Sequence, residues 1–284
     1  MDIELEIRSV IKQPFNKDIY KRLVRLVHPD VDPSYIELFH LLNSWKNPKQ
    51  QLKIQAGKTY TLSEISWSGH LSNIYKDDSC YIKISKSPKA NKLIKNEYDT
   101  LLNIRSKLDG TNLHKFFVEP IEFLELKEKV NLSAFSYNTE PSYSLKEIME
   151  HRPDGLSDAE FGWIFKRILT AIDIMHYCGF LHTCITEDHV LLRPQDHGAY
   201  LCGLGSSTTK ELKFKIFDHP FEPCKQLDIY QAGQLGMRIT KNKKYLGFLK
   251  SLCLGKNQID TNLVHIMKDL DGILPPKKWV DFIL

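Results

Sequence analysis

The six cysteines of this 284-residue chain (Cys80, Cys178, Cys184, Cys202, Cys224 and Cys253) form no CxxC or CxxH pair. That spacing argues against a zinc site and against a compact disulfide framework, and it fits a reducing compartment. No run approaches the roughly 18 uninterrupted apolar residues that a membrane span needs, so no membrane partner is expected. The chain opens on acidic and polar residues without an apolar core segment, so no secretory signal is expected either. Basic residues are scattered around a net charge of +4, with short groups only at Lys17/Lys21/Arg22/Arg25 and Lys241/Lys243/Lys244. Neither group has the length or the interleaved aromatics of a nucleic-acid arm, so no nucleic-acid partner is expected. A cytoplasmic globular protein remains, 42% hydrophobic and 26% charged, long enough for a small domain plus a medium one.

In the first 55 residues, Ile3, Ile7, Val10 and Ile11 recur at helical spacing and predict a short helix over residues 2–12, broken at Gln13-Pro14. Asn16 is a suitable N-cap for a second helix carrying Ile19, Tyr20, Leu23, Val24 and Val27 on one side. Lys17, Lys21, Arg22 and Arg25 fall largely on the opposite side. His28-Pro29 stops this helix, because the residue before a proline is pushed out of the α region. Asp32 as N-cap and Pro33 at the first helical position start a third, with Ile36, Leu38, Phe39, Leu41 and Leu42 available to pack back, until Asn47-Pro48 ends it. This order, a basic helix, the tripeptide His28-Pro29-Asp30 and a further amphipathic helix, resembles the J domain of DnaJ-type co-chaperones. The resemblance implies that His28, Pro29 and Asp30 stimulate ATP hydrolysis by an Hsp70 while Lys21, Arg22 and Arg25 dock on its acidic surface. The chain departs from that family in lacking a Tyr-x-x-Leu-Gly opening and in its short third helix. The plainer reading of the same residues is a helix-turn-helix connector beside a solvated basic face.

Residues 49–58 read as a short connector. Beyond it, Tyr60–Lys76 has the rhythm of a β-hairpin, and Cys80-Tyr81-Ile82-Lys83-Ile84 alternates as a strand. A helical segment, Ala90–Lys107, carries Glu97. Phe116–Leu126 and Val130–Tyr137 read as strands, followed by a polar stretch at 137–142. The spacing Ser157-x-x-Glu160 is a capping box opening a long helix from Asp158 to about Tyr177. Then come His182-Thr-Cys-Ile-Thr-Glu-Asp-His189, the strand Ala199–Cys202, Gly203-Leu-Gly205, and Asp228-Ile-Tyr-Gln-Ala-Gly233. Tyr245–Leu254 reads as another amphipathic helix.

In this order the motifs resemble a protein kinase whose chemical positions hold the wrong residue types. Lys83 and Glu97 match that family's phosphate-binding lysine and its helical glutamate. The three glycine positions of its phosphate loop fall on Trp67, Gly69 and Ser72, so only Gly69 survives, and a Trp at the first would obstruct close approach to ATP. Cys184 stands at the position of the proton-accepting Asp, His189 at that of a metal-binding Asn, and Gly203 at that of the metal-binding Asp. Glu187 and Asp188 are nearby acids whose register turns them to solvent or a cap. His189 reads as either a satisfied core histidine or a surface residue. A Cys184 nucleophile with His182 as base is disfavoured, since a reactive thiol needs an exposed electropositive setting. Asp228 matches a structural Asp that ties down the catalytic loop. The segment Ser206–Lys225, where the family has its activation segment, is short, and Phe221-Glu222-Pro223 is a poor match to its ending.

The expected fold is therefore α+β: a J-like helical hairpin over residues 1–55, then a bilobal kinase-like domain over 58–284. Its small β-rich lobe covers about 58–138, and its reduced helical lobe about 142–284. The expected function is a non-enzymatic co-chaperone adaptor, whose kinase-like domain holds a client or scaffold protein and whose tripeptide recruits an Hsp70. The expectation for cofactors is none beyond weak ATP binding without Mg²⁺. Two alternatives stay open: an atypical nucleotide-dependent transferase using Lys83 and Glu97, and an interaction scaffold with a vestigial tripeptide.

Overall fold

The computed structural model describes residues 3–29, 31–46, 52–56, 58–62, 65–77, 80–126, 132–138, 142–193, 197–209, 223–254 and 260–275. The chain divides into two compact units, Met1–Lys53 and Ile54–Leu284.

The first unit holds helices α1 (Ile3–Val10), α2 (Lys17–Leu26) and α3 (Ile36–Lys46), the last preceded by a 3₁₀ turn at Pro33–Tyr35. The Asn16 carboxamide oxygen accepts the amides of Asp18 and Ile19 at 3.0 and 3.1 Å, satisfying two of the donors that a helix start leaves unpaired. Asp32 opens the 3₁₀ turn by accepting the Ser34 amide at 2.9 Å. That amide, with the Ser34 hydroxyl, holds the Asp32 carboxyl below its usual pKa. The α1 helix is shorter than the periodicity predicts, because the approach to Pro14 cannot stay helical. Tyr20 near the start of α2 donates to Asn43 near the end of α3 at 2.7 Å, while the His28 ring stands edge-on to Phe39, 4.9 Å between centroids. Early residues of one helix thus meet late residues of the other, and α2 and α3 run antiparallel. Ile7, Tyr20, Leu23, Val27 and Leu42 are buried between the three helices.

Strand β1 (Leu52–Ala56), which runs from the end of the first unit into the second, pairs with β2 (Lys58–Leu62) in a two-stranded sheet, so the stretch expected as a plain connector contains a strand. Strands β3 (Ile65–Ser68), β4 (Ser72–Lys76), β5 (Tyr81–Ser85), β6 (Glu119–Leu126) and β7 (Leu132–Asn138) make an antiparallel sheet in the order β3-β4-β5-β7-β6. Helix α4 (Asn91–Lys107) connects β5 to β6. The two-residue period of a strand sorts the side chains of β5. Ile82 and Ile84 join Tyr60, Leu62, Cys80 and Leu124 in one apolar cluster, whereas Tyr81 packs into the larger core on the other side. Lys83 shares that second side.

The larger lobe contains β8 (Tyr143–Ser144), α5 (Leu145–His151), α6 (Asp158–Tyr177), β9 (Val190–Arg193), β10 (Gly198–Leu201), α7 (Lys225–Ile239), α8 (Leu246–Ser251) and α9 (Leu263–Ile273). The capping box at Ser157 forms as expected, and a second at Ser144/Glu147 opens α5. Phe161, Ile164, Phe165, Ile168, Leu169, Ile172 and Met175 lie on one side of α6 and are all buried. At roughly 1.5–3 kcal/mol for each such side chain withdrawn from water, α6 organises the core of this lobe.

Several expected elements are corrected. Leu113–Phe116 is a 3₁₀ turn, and β6 begins only at Glu119, with a register shift between Pro120 and Glu122 where proline removes a ladder donor. The helix expected over Tyr245–Leu254 is a 3₁₀ turn followed by the shorter α8, and α9 was not anticipated. Among the described residues no helix is long and apolar enough to cross a membrane.

Candidate functional site

Lys83 on β5 and Glu97 on α4 meet across the small lobe, Nζ to Oε2 at 2.6 Å, with side chains only 14% and 3% exposed. The second Glu97 oxygen accepts the Gly203 amide at 3.0 Å. Both carboxylate oxygens are thus committed, one to the sheet and one to the segment after β10. The same helix fastens that segment twice more. Asn96 donates to the carbonyls of Gly205 and Ser207, both at 2.9 Å, and the Thr100 and Ser207 hydroxyls are 2.9 Å apart. These partners were missed from sequence, although Asn96 and Thr100 stand four residues apart and Thr100 three beyond Glu97, the spacings that place helical residues side by side.

The loop from His182 to His189 is held from below by Asp228 of α7, a fully buried carboxylate. Its Oδ2 accepts the His182 amide at 2.9 Å and His176 Nε2–H at 2.8 Å, and its Oδ1 accepts the Thr183 amide at 2.7 Å. Gln231, one turn along, accepts from the Ile185 amide and donates to the Thr183 carbonyl, each at 2.9 Å. These bonds hold Thr183 at φ 65°, a left-handed conformation costly for a residue with a Cβ. Glu187 and Asp188 pair with Arg238 and Lys146. The Asp188 side chain is 60% exposed, toward solvent as expected, whereas Glu187 is largely covered by its arginine.

The histidines and thiols here are set for structure. His182 Nδ1 accepts the Cys184 amide at 3.3 Å and Nε2–H donates to the Cys202 carbonyl at 2.9 Å, so neither ring nitrogen is left to act as a base. Burial, reinforced by neighbouring His189, pushes the His182 pKa down to about 4. Burial likewise raises the Cys184 thiol to about 11 and Cys202 to about 12, far from a thiolate at neutral pH.

The shift of His182 makes stability pH-dependent. Its folded pKa lies below the unfolded value, so below pH 6.5 the unfolded chain takes up a proton that the folded chain refuses. Stability is then complete above that pH and falls progressively down to about pH 4, by up to about 3 kcal/mol for this group. Urea midpoints between pH 7 and pH 4 are expected to decline over this window, with a shallower slope in His182→Asn. A pH-independent midpoint would contradict this reading.

His189 is partly buried with its ring hydrogen-bonded, nearer the satisfied histidine than the surface one. Its Nδ1–H donates to the Cys184 carbonyl at 2.6 Å, and burial lowers its pKa. The ring lies directly against Gly203, which adopts φ +78°. A Cβ placed on residue 203 would stand 2.2 Å from His189 Cδ2 and 2.5 Å from Cγ. The imidazole thus occupies the space that a carboxylate-bearing side chain at 203 would need. The two departures from the kinase pattern are one steric arrangement.

The β3–β4 hairpin also differs from a phosphate loop. Trp67 lies within β3, its ring 4.9 Å from that of Tyr81, and Ser72 within β4, leaving Gly69-His70-Leu71 as the turn. The Gly69 amide is taken by the Ser72 carbonyl at 2.9 Å, and neither φ nor crowding at this position requires glycine. The amide that a phosphate would use is already engaged.

In the first unit, His28 and Pro29 follow α2 and Asp30 lies outside the described residues. The His28 carbonyl accepts the amides of Val31 and Asp32 at 2.8 and 3.2 Å, turning the chain toward α3. Lys17, Lys21, Arg22 and Arg25 are exposed, and Arg22 reaches Glu6 of α1. The structure describes the two units separately, so it does not bring this group together with Lys83 and Glu97.

Among the described residues no cluster of His, Cys, Asp and Glu could hold a metal ion. No protein-family model and no curated protein matches the chain. Among solved structures the chain is similar to vaccinia related kinase 3, with a TM-score of 0.60 and 11% sequence identity over 78% of this chain and 89% of that one. The fold is protein-kinase-like.

Proposed function

We propose that this chain is a cytoplasmic, non-catalytic adaptor whose kinase-like domain holds a client or scaffold protein and whose His28-Pro29-Asp30 segment recruits and stimulates an Hsp70. The observation that carries the non-catalytic half is the His189 ring seated on Gly203. Phosphoryl transfer rests on positioning together with magnesium-assisted neutralisation of charge, and both metal-ligand positions are spent on this contact. Cys184, buried and protonated, replaces the proton acceptor. The recruiting half is supported by the antiparallel α2–α3 pair with the tripeptide between its helices. The exposed cations of α2 suit electrostatic steering toward an acidic surface.

The experiment is single-turnover ATP hydrolysis by a purified Hsp70, with the wild-type chain and with His28→Gln. Stimulation by the wild type and loss of that stimulation in the variant are expected. Equal stimulation by both, or none from either, ends the proposal. Retention of the Lys83–Glu97 pair favours a second reading, a nucleotide-dependent transferase, since the Lys83 ammonium keeps two N–H donors beyond the one given to Glu97. Transfer of labelled phosphate from ATP, abolished by Lys83→Met, would favour that reading.

A further inference from the structure

A cavity of about 370 Å³ opens between the C-terminal half of α4, the turn before β6, and strands β9 and β10. Lys83, Glu97, His189 and Gly203 do not line it, so it is separate from the cleft described above. Its size is at the low end of sites that enclose a small organic molecule. Leu101, Ile104, Phe117 and Leu191 supply an apolar floor. Around them stand three permanent cations, Arg105, Lys115 and Arg193, against the single carboxylate of Glu119, which pairs with Arg105. The Arg193 guanidinium lies over the Tyr200 ring, 4.8 Å from its centroid, a cation–π contact. Lys115 is exposed at the rim.

Ser142 gives the cavity its second, independent mark. The residue is only 9% exposed, it lines the cavity, and its Oγ has no hydrogen-bond partner among the described residues. A buried hydroxyl without a partner is destabilising, a cost that a ligand's acceptor would relieve.

We propose that this cavity binds a small organic anion, a phosphate or carboxylate on an aromatic or aliphatic body. The acid group sits among Lys115, Arg193 and Arg105, the body rests on Leu101, Ile104 and Phe117, and Ser142 Oγ donates to the ligand. An acidic peptide is the wrong shape, because a space this small encloses one side chain and not an extended strand. The occupant touches α4, the helix that carries Glu97, and β9–β10 of the other lobe, so its binding couples the two lobes. The inference is independent of the adaptor reading.

The experiment is calorimetric titration of the full chain with 1-naphthyl phosphate, in parallel with inorganic phosphate and with 1-naphthol, all repeated in the presence of ATP. One-to-one binding of the aryl phosphate, unaffected by ATP and at least about tenfold tighter than either fragment, is expected. Lys115→Glu lies at the exposed rim, so it is expected to leave the melting temperature unchanged and weaken binding at least about tenfold by reversing one charge. Ser142→Leu fills the cavity and abolishes binding. An aryl phosphate that is displaced by ATP, that binds both variants as it does the wild type, or that fails to bind at millimolar concentration overturns the proposal. Tighter capture of an acidic peptide than of the aryl phosphate overturns it as well.

Discussion

Returning a carboxylate to the metal-ligand position, by Gly203→Asp, is expected to damage the fold without restoring magnesium binding. The new Cβ would meet the His189 ring at 2.2 Å, and the backbone at φ +78° disfavours any side chain. Left-handed strain costs about 1–3 kcal/mol and overpacking of a closed site about as much again, so a loss of about 2–6 kcal/mol is expected. His189 has limited freedom to retreat, since its Nδ1–H is held by the Cys184 carbonyl. Adding His189→Asn removes the ring and should recover about 2 kcal/mol of the deficit, a coupling that two independent sites would not show. Urea unfolding of the wild type, both single variants and the double variant measures it. Additive losses would mean that the two residues do not compete for one space.

Asp228→Ala is the second substitution with a large expected effect. It strands three buried donors, His176 Nε2–H and the amides of His182 and Thr183. At about 1–3 kcal/mol for each orphaned group, a loss of about 3–9 kcal/mol is expected. Asp228→Asn keeps one acceptor oxygen, so it should lose about half as much. Amide exchange at Thr183 and His182 should accelerate before the rest of the lobe opens, because Asp228 and Gln231 together hold the loop in its left-handed turn. The importance of Asp228 here is architectural. The groups that hold this loop's backbone are Asp228 and Gln231, whatever its exposed side chains do.

Periodicity and capping carried most of the secondary structure. The α6 helix runs from Asp158 to Tyr177 as the capping box and apolar spacing predict, and Asn16 and Asp32 cap as their residue types suggest. The misses have local causes. The chain before β6 contains Phe116 and Phe117, whose β preference is overridden because the turn at Leu113–Phe116 packs onto the core. The α9 helix has Leu263, Ile266 and Leu270 at helical spacing, a signal that was present and not used.

In the candidate site, sequence order suggested that Lys83 and Glu97 pair, and they do. It could not reveal that Glu97 also grips the Gly203 amide, because backbone hydrogen bonds leave no trace in residue identity. Nor could it reveal that His189 and Gly203 are complementary. Each reads alone as a missing metal ligand, and only their contact in space makes one the reason for the other. The hairpin over Tyr60–Lys76 forms between β3 and β4 as its rhythm predicts, but residue types do not disclose how its turn is closed. Trp67 is a strand residue packed on Tyr81 beside a turn already closed by its own hydrogen bond.

The most direct test is the melting temperature of the full chain with saturating ATP, in EDTA and in excess Mg²⁺, read alongside transfer of labelled phosphate. With His189 in the space of the metal ligand, the two melting temperatures are expected to coincide and no label to move. A magnesium-dependent rise of several degrees signals about 2–3 kcal/mol of metal-assisted binding. Such a rise, accompanied by phosphate transfer that Lys83→Met abolishes, would contradict the account.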